Sequence, residues 1–369
     1  MAPAPATPVD VVPSSGRIPS LDGWRAIAIL LVLIDHATLT SGFPKSILGH
    51  YALFVDGNLG VRIFFVLSGF LISLLLLKET DRTGGVSLRH FYLRRIFRIF
   101  PVYFAYLGVL AALTLAGLYA DSAASWIGCL TFTRNVVGSI RSGTSHFWSL
   151  AVEEQFYILW PILLGRLQLW KRSIPYVGIL LLPIVICPVI RGCFSPDTLG
   201  GTFANKILGY RSILVYADSL AIGCLGAWMF WKSAPIASWR TFHTALLLAC
   251  LAVLLEGHLL QLASASRTLK AIVPAAEGWA VLGCIWLGTH ERSPGFGILN
   301  SKPMVTLGVL SYSIYVWHFL FVSFHMGPQF ARWPTHDWKF WVIPTVAVSA
   351  VSYYFLEVPF MNLRRRFQN

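Results

Sequence analysis

Residues 57–77 read GNLGVRIFFVLSGFLISLLLL, 21 positions with one ionisable side chain, Arg62. A run of about 18 or more apolar residues is long enough to cross a bilayer core of roughly 30 Å as a helix. The rest of the chain repeats this pattern. Comparable runs lie near 24–40, 100–120, 147–165, 174–191, 212–231, 242–259, 271–289, 304–325 and 340–358. Of 369 residues, 56% are hydrophobic and 12% are charged. That charged share is about half that of a soluble domain, which excludes disorder, a coiled coil or a collagen-like chain. The pattern predicts an all-α polytopic membrane protein of about ten transmembrane helices in one bundle. An even number of spans places both termini on one side. Taking that side as cytoplasmic puts the larger share of the 29 Lys and Arg in its loops, as the positive-inside rule expects.

The net charge of +13 belongs to those loops, and no basic, aromatic-interleaved soluble face exists to bind nucleic acid. The six cysteines form no C-x-x-C pair and mostly sit in apolar runs, so they read as small buried hydrophobes. Residues 1–19 are rich in Pro and Ala, lack the apolar core of a signal peptide, and read as a mobile tail. Residues 20–369 form one membrane domain, which ten spans can build as a monomer. No H-E-x-x-H, His/Cys cluster, P-loop or G-x-G-x-x-G is present, so the sequence gives no sign of a metal, kinase or dinucleotide site.

Ionisable residues inside spans are expensive and mark candidate sites. In the first span, RAIAILLVLIDH, eleven steps of 100° bring Arg25 and His36 to within about 20° on one helix face, about 16 Å apart along the axis. That spacing suits a long ligand with its anionic head at Arg25 and its reactive end at His36, the side chain best matched to a general base near neutral pH. A snorkelling arginine and a histidine bonded across helices would give the same pattern. Asp35 points about 100° away, toward the outer rim. The connector 78–99 carries LRHFYLRRIFRIFP. It reads either as an interfacial amphipathic helix on anionic lipid or as a polyanion site, with Arg95 and Arg98 presenting two guanidinium forks to phosphate.

The fourth span opens FWSLAVEEQFYILWP. Glu153 shares a face with Ser149, Phe156, Tyr157 and Trp160, and Glu154 shares one with Leu150, Tyr157 and Pro161; one of the two can orient an imidazole as a buried carboxylate, or both form a surface pair at the outer interface. In the second span Gly60, Ser68 and Gly69 read as small packing residues. Ser68 as a covalent nucleophile is the secondary reading, and Arg62 is expected to pair with Asp56 or Glu153. Tyr315 and His318 share a face in LGVLSYSIYVWHFLF, with His318 either structural or an acid/base group. Glu357 is expected to pair with a basic residue at the end of the last span. His50, His90, His243, His258, His290, His325 and His336 are scattered near span ends.

Taken in order, RIPSLDGWRAIAILLVLIDH, GVRIFFVLSGFLIS, LRRIFRIFP, FWSLAVEEQFYILWP, SYSIYVWHFLF and FLEVPF resemble the acyltransferase-3 family of integral-membrane acyltransferases, from about residue 17 to 367. The resemblance implies transfer of an acyl group, often acetyl, from cytoplasmic acyl-CoA to a hydroxyl of a carbohydrate or related acceptor, in the cell (inner) membrane of a bacterium. The family's Arg-x10-His element falls on Arg25 and His36, its Arg-x-x-Arg element on Arg95 and Arg98, and its Ser-x-x-x-Glu element on Ser149 and Glu153. Its late histidine falls on His318. The resemblance therefore implies His36 and Glu153 as catalytic residues and Arg25, Arg95 and Arg98 as the acyl-CoA site. Ser149, Tyr157 and His318 would touch substrate. Members often carry an acidic residue where this chain has Arg62, which bears on the acceptor. Some carry a fused SGNH hydrolase-like domain; a chain ending at 369 would complete transfer alone or with a separate partner. Outside the family, the same Arg/His/Glu set would suit a transporter or flippase path, although no paired broken helices or repeats are visible.

Overall fold

The run 57–77 lies within one 27-residue helix, Gly57–Thr83, of a computed structural model that describes residues 18–44, 56–139, 142–193, 211–232, 240–262, 266–291, 293–322 and 334–364. Asp56 caps the helix by accepting a hydrogen bond from the Leu59 amide at 2.8 Å. Gly84 ends it at φ +73°, a left-handed turn that glycine adopts without strain. Ten long helices are present among the described residues. In chain order they are α1 Pro19–Ala37, α2 Gly57–Thr83, α3 Leu88–Leu115, α4 Phe147–Arg166, α5 Ser173–Cys193, α6 Ile213–Lys232, α7 Arg240–Leu262, α8 Arg267–Gly288, α9 Lys302–Trp317 and α10 Val342–Ser352. The last continues through a π turn, Tyr353–Glu357, to Leu363.

Eight of these are long and apolar enough to cross a membrane. The two that fall short, α1 and α4, are of similar length but hold Asp22, Arg25 and Asp35, and Glu153 and Glu154. Their hydropathy is diluted by the residues that make the site. The outer faces of α5, α7 and α10 show the reverse of a soluble surface: Val185, Leu248 and Phe355 are 63%, 61% and 75% exposed, as lipid-facing side chains should be.

Small residues set the closest crossings. A Cβ on Gly69 of α2 would strike the Leu220 carbonyl of α6, and one on Gly223 would strike the Val66 carbonyl, so these two backbones touch. Gly308 does the same for α9 against Asp22 of α1. Ser68 of α2 also hydrogen-bonds a neighbouring helix through its hydroxyl, as described below.

Several expectations change. The basic connector is no separate interfacial helix. Only residues 84–87 lie between α2 and α3, and Arg94, Arg95 and Arg98 belong to a continuous helix that runs through Pro101. Arg94 pairs with Glu79 of α2 at 3.0 Å, fixing the start of α3 against the bundle. Arg62 pairs with neither Asp56 nor Glu153. It is ion-paired with Glu277 of α8, both side chains almost fully buried at 4% and 1% exposure. The helix order brings α8 against α2, and nothing in the local pattern around Glu277 signals that. Glu357 lies in the π turn, is buried and accepts from Ser313 Oγ, while Arg98 and Arg364 line the same cavity. Five cysteines are buried and Cys193 is exposed. Most of the N-terminal tail, together with His50 and His325, lies outside the described residues.

Between α3 and α4, the described residues 116–139 and 142–146 include a short helix, Ala123–Leu130. Tyr119 donates to Asp121 at 2.7 Å and accepts from the Gly143 amide at 2.9 Å, and Tyr106 donates to the Gly143 carbonyl at 2.6 Å. Burial, with the neighbouring Asp121 carboxylate, pushes the Tyr119 phenol above its ordinary range and keeps it a neutral donor. This loop delivers the chain to His146, where α4 begins.

Candidate active site

Three cavities lie in series through the bundle. The first, of about 910 Å³, opens at the end where both described chain ends, Ile18 and Arg364, meet. Arg25, Arg95, Arg98, Lys78 and Arg82 line it, with Asp22 and Glu357 among the acids. Asp22 holds Arg25 at 2.9 Å, an i,i+3 pair on α1. Arg95 lies over the ring of Tyr157, its guanidinium carbon 5.0 Å from the centroid, which aims the fork without neutralising it.

The second cavity, about 90 Å³, shares Arg25, Arg95 and Arg98 with the first and adds Ser68, Ser149, Glu153, Tyr157 and Tyr315. Ser68 Oγ donates to Glu153 Oε1 at 2.6 Å, which uses its one proton, so the Tyr157 hydroxyl at 3.0 Å is the donor to Ser68. Tyr315 donates to the His146 carbonyl at 2.7 Å, and Ser149 donates to Tyr315 at 2.6 Å.

The third cavity, about 170 Å³, shares Val61 and Tyr315 with the second and is lined by Asp35, His36, His146, Trp148 and Arg211. His36 Nδ1 is 3.0 Å from Nε2 of His318. The proton positions follow from the backbone. Nδ1 of His318 faces the carbonyls of Tyr315 at 2.7 Å and Ile314 at 3.2 Å, and only an N–H can satisfy a carbonyl. A neutral His318 therefore has its lone pair at Nε2, and His36 must donate to it from Nδ1. The lone pair of His36 falls on Nε2, the nitrogen that a base uses. His318 thus holds the tautomer of His36 as a carboxylate does in a nucleophile–His–acid triad, from a fully buried position.

The eight residues singled out from sequence are all in this system, at different depths. Arg25, Arg95 and Arg98 line the first two cavities, and His36 lines the third. The expected partnership of Glu153 with His36 is absent: Glu153 binds Ser68, and His36 meets His318. His146 stands at the imidazole level, its ring 5.3 Å from that of His318, and Glu153 lies seven residues further along α4, about 10 Å deeper. His318, expected at the substrate, reaches His36 instead.

Sequence reasoning missed His146, Trp148 and Arg211. His146 directly precedes the FWSLAVEE run, and that adjacency was its only signal.

A family profile described as an acyltransferase domain, that of the acyltransferase-3 family, matches residues 18–357. The peptidoglycan O-acetyltransferase OatA of Listeria monocytogenes is 27% identical over 365 residues, covering 93% of this chain and 55% of the relative. A putative O-acetyltransferase of Staphylococcus aureus strain COL is 27% identical over 376 residues, and the O-acetyltransferase OatA of S. aureus strain NCTC 8325 is 26% identical over 373. Each of these covers 93% of this chain and 57% of the relative, so the chain spans a little over half the length of the curated relatives it matches. No solved structure matches.

Proposed function

The chain belongs to the acyltransferase-3 family, and from that premise we propose that it moves an acyl group, acetyl by likeness to its relatives, from cytoplasmic acyl-CoA to a hydroxyl of a carbohydrate acceptor at the opposite face. One observation carries the reading: three cavities share walls in sequence, with arginines at one end and imidazoles at the other. The phosphates of the acyl-CoA rest on Arg95, Arg98 and Arg25, where forked contacts to phosphate are strong. The acyl arm passes Ser68 and Tyr157 toward His36. His36 Nε2 takes the acceptor proton as the oxygen attacks the thioester, and the imidazolium is stabilised by its bond to His318. Glu153 offsets the arginine charges and fixes Ser68 and Tyr157.

The 2.6 Å bond between Ser68 and Glu153 favours a second reading, an acyl-Ser68 intermediate. There Glu153 takes the serine proton, the oxygen attacks the thioester, and CoA leaves as the thiol.

Membrane vesicles with the protein or its His36→Ala variant at matched expression, given labelled acetyl-CoA, test both. Label in a carbohydrate fraction that vanishes in the variant supports the first reading. Label retained on the protein, and lost in Ser68→Ala, supports the second. Equal label from both vesicle types removes His36 as the base. Proton-coupled uptake without any acyl donor would support a transporter instead.

A further inference from the structure

The first cavity holds more positive charge than the three arginines account for. Lys78 and Arg82 stand one turn apart near the end of α2 and line the first cavity, whereas Arg25, Arg95 and Arg98 line the first and the second. Ser68, further back on α2, lines the second. At 1.5 Å per residue, Lys78 is about 15 Å and Arg82 about 21 Å along the helix from Ser68. The order in depth is therefore Ser68, then the three arginines, then Lys78 and Arg82 toward the open end.

Side chains four residues apart on a helix are neighbours, and like charges there repel. One cation in the last turn would complement the helix C-terminus; a second beside it needs another reason. The acids nearby do not supply it. Asp81 accepts from the Trp231 indole at 2.6 Å, Asp22 holds Arg25 at 2.9 Å, and Glu357 accepts from Ser313. Glu79 is held by Arg94 at 3.0 Å and by the Ser87 amide at 2.9 Å. Arg82 uses its Nε on the Lys78 carbonyl at 3.3 Å, and neither cation is ion-paired among the described residues. Six basic side chains line this cavity against three acidic ones, an excess that suits a polyanion.

We infer that Lys78 and Arg82 form a second anion seat, which takes the 3′-phosphate of the acyl-CoA and is separate from the arginines that take its diphosphate. This rests on the donor reading above. Acyl-CoA runs in one order: acyl group, arm, diphosphate, then a ribose that bears the 3′-phosphate. With its arm in the second cavity and its diphosphate at Arg25, Arg95 and Arg98, its ribose falls in the first cavity, beside Lys78 and Arg82. A phosphate monoester carries about −1.5 to −2 charge near neutral pH, and an ammonium next to a guanidinium fork answers it. The repulsion between the two cations is relieved when the phosphate sits between them. The seat admits CoA over its 3′-dephosphorylated form and takes no part in the chemistry at His36.

The test is titration calorimetry of two probes that differ by one phosphate, CoA and 3′-dephospho-CoA, on the full chain in phosphatidylcholine nanodiscs, whose lipid brings no net charge to the seat. The protein should bind CoA roughly tenfold or more tightly than dephospho-CoA. The double variant Lys78→Gln with Arg82→Gln should bind CoA only as tightly as the unaltered protein binds dephospho-CoA. Its affinity for dephospho-CoA should be unchanged, which also certifies it as folded. Arg95→Gln should weaken both probes alike and keep the preference. Arg89 is an exposed cation at the start of α3 that does not line the cavity, and Arg89→Gln should also keep the preference. Equal binding of the two probes by the unaltered protein, a preference that survives the double variant, a double variant that weakens both probes alike, or the same loss of preference in Arg89→Gln would overturn the seat. The donor reading fails with a different signature: the unaltered protein binds neither probe. Equal binding of both, weakened by Arg95→Gln, leaves the donor reading standing without the seat.

Discussion

Replacing His318 by phenylalanine keeps a ring in the same buried space and removes the lone pair to which His36 Nδ1 donates at 3.0 Å. In the resting state that bond fixes a tautomer. In the transition state, with His36 protonated at Nε2, it becomes a hydrogen bond from a cation. Such a bond contributes about 1.5–3 kcal/mol, which at 1.4 kcal/mol per decade is a loss of roughly 10- to 140-fold in kcat. Because His318 is fully buried, no water replaces the lost acceptor without opening the site. His318→Gln, whose side-chain oxygen can accept from His36, should recover part of the loss. The assay is acetyl transfer from labelled acetyl-CoA in vesicles, with donor affinity measured separately by titration calorimetry on purified protein. The expected result is a fall in kcat at unchanged acetyl-CoA affinity, with partial rescue by glutamine. An unchanged rate in a folded phenylalanine variant, or an equal loss in phenylalanine and glutamine variants, would refute the assignment of proton positions.

Arg95→Ala should weaken acetyl-CoA binding roughly 10- to 140-fold with the fold intact, and Arg95→Lys less so, since lysine keeps the charge but not the fork; calorimetry reads both. Unchanged affinity in folded protein would remove Arg95 from the donor site. Arg62→Met should destabilise the bundle by about 3–5 kcal/mol, because it strands the buried carboxylate of Glu277, and the pair Arg62→Met with Glu277→Leu should recover most of that in detergent thermal unfolding. Gly223→Leu should separate α6 from α2 and lower the unfolding temperature, whereas Gly178→Ala on α5, where a Cβ meets nothing within 4 Å, should be nearly neutral.

The fold class was legible because lipid imposes a simple rule. Every backbone polar group must be satisfied within its own helix, so each apolar run of sufficient length becomes one. The runs around 57–77 and 212–231 needed no tertiary information, and Gly60 and Gly69 could be read as contact points. The basic connector stayed open between two readings because amphipathic periodicity is the same whether the polar face meets headgroups or a buried cavity. Only the packing of α3 against α2 and α4 distinguishes the two.

The sequence by itself marked side chains too costly to leave in lipid, namely Arg25, His36, Glu153 and His318, and it placed Arg25 and His36 on one face of one helix. The geometry within a single helix follows from 3.6 residues per turn and needs nothing else. Which of these groups meet was decided by tertiary structure alone. The partners of His36 and Ser68 are His318 and Glu153, 282 and 85 residues away, and Arg62 finds Glu277 at a separation of 215. Those distances are set by the order in which helices pack, through backbone contacts such as Gly69 on Leu220 and Gly223 on Val66. No periodicity along the chain records that order.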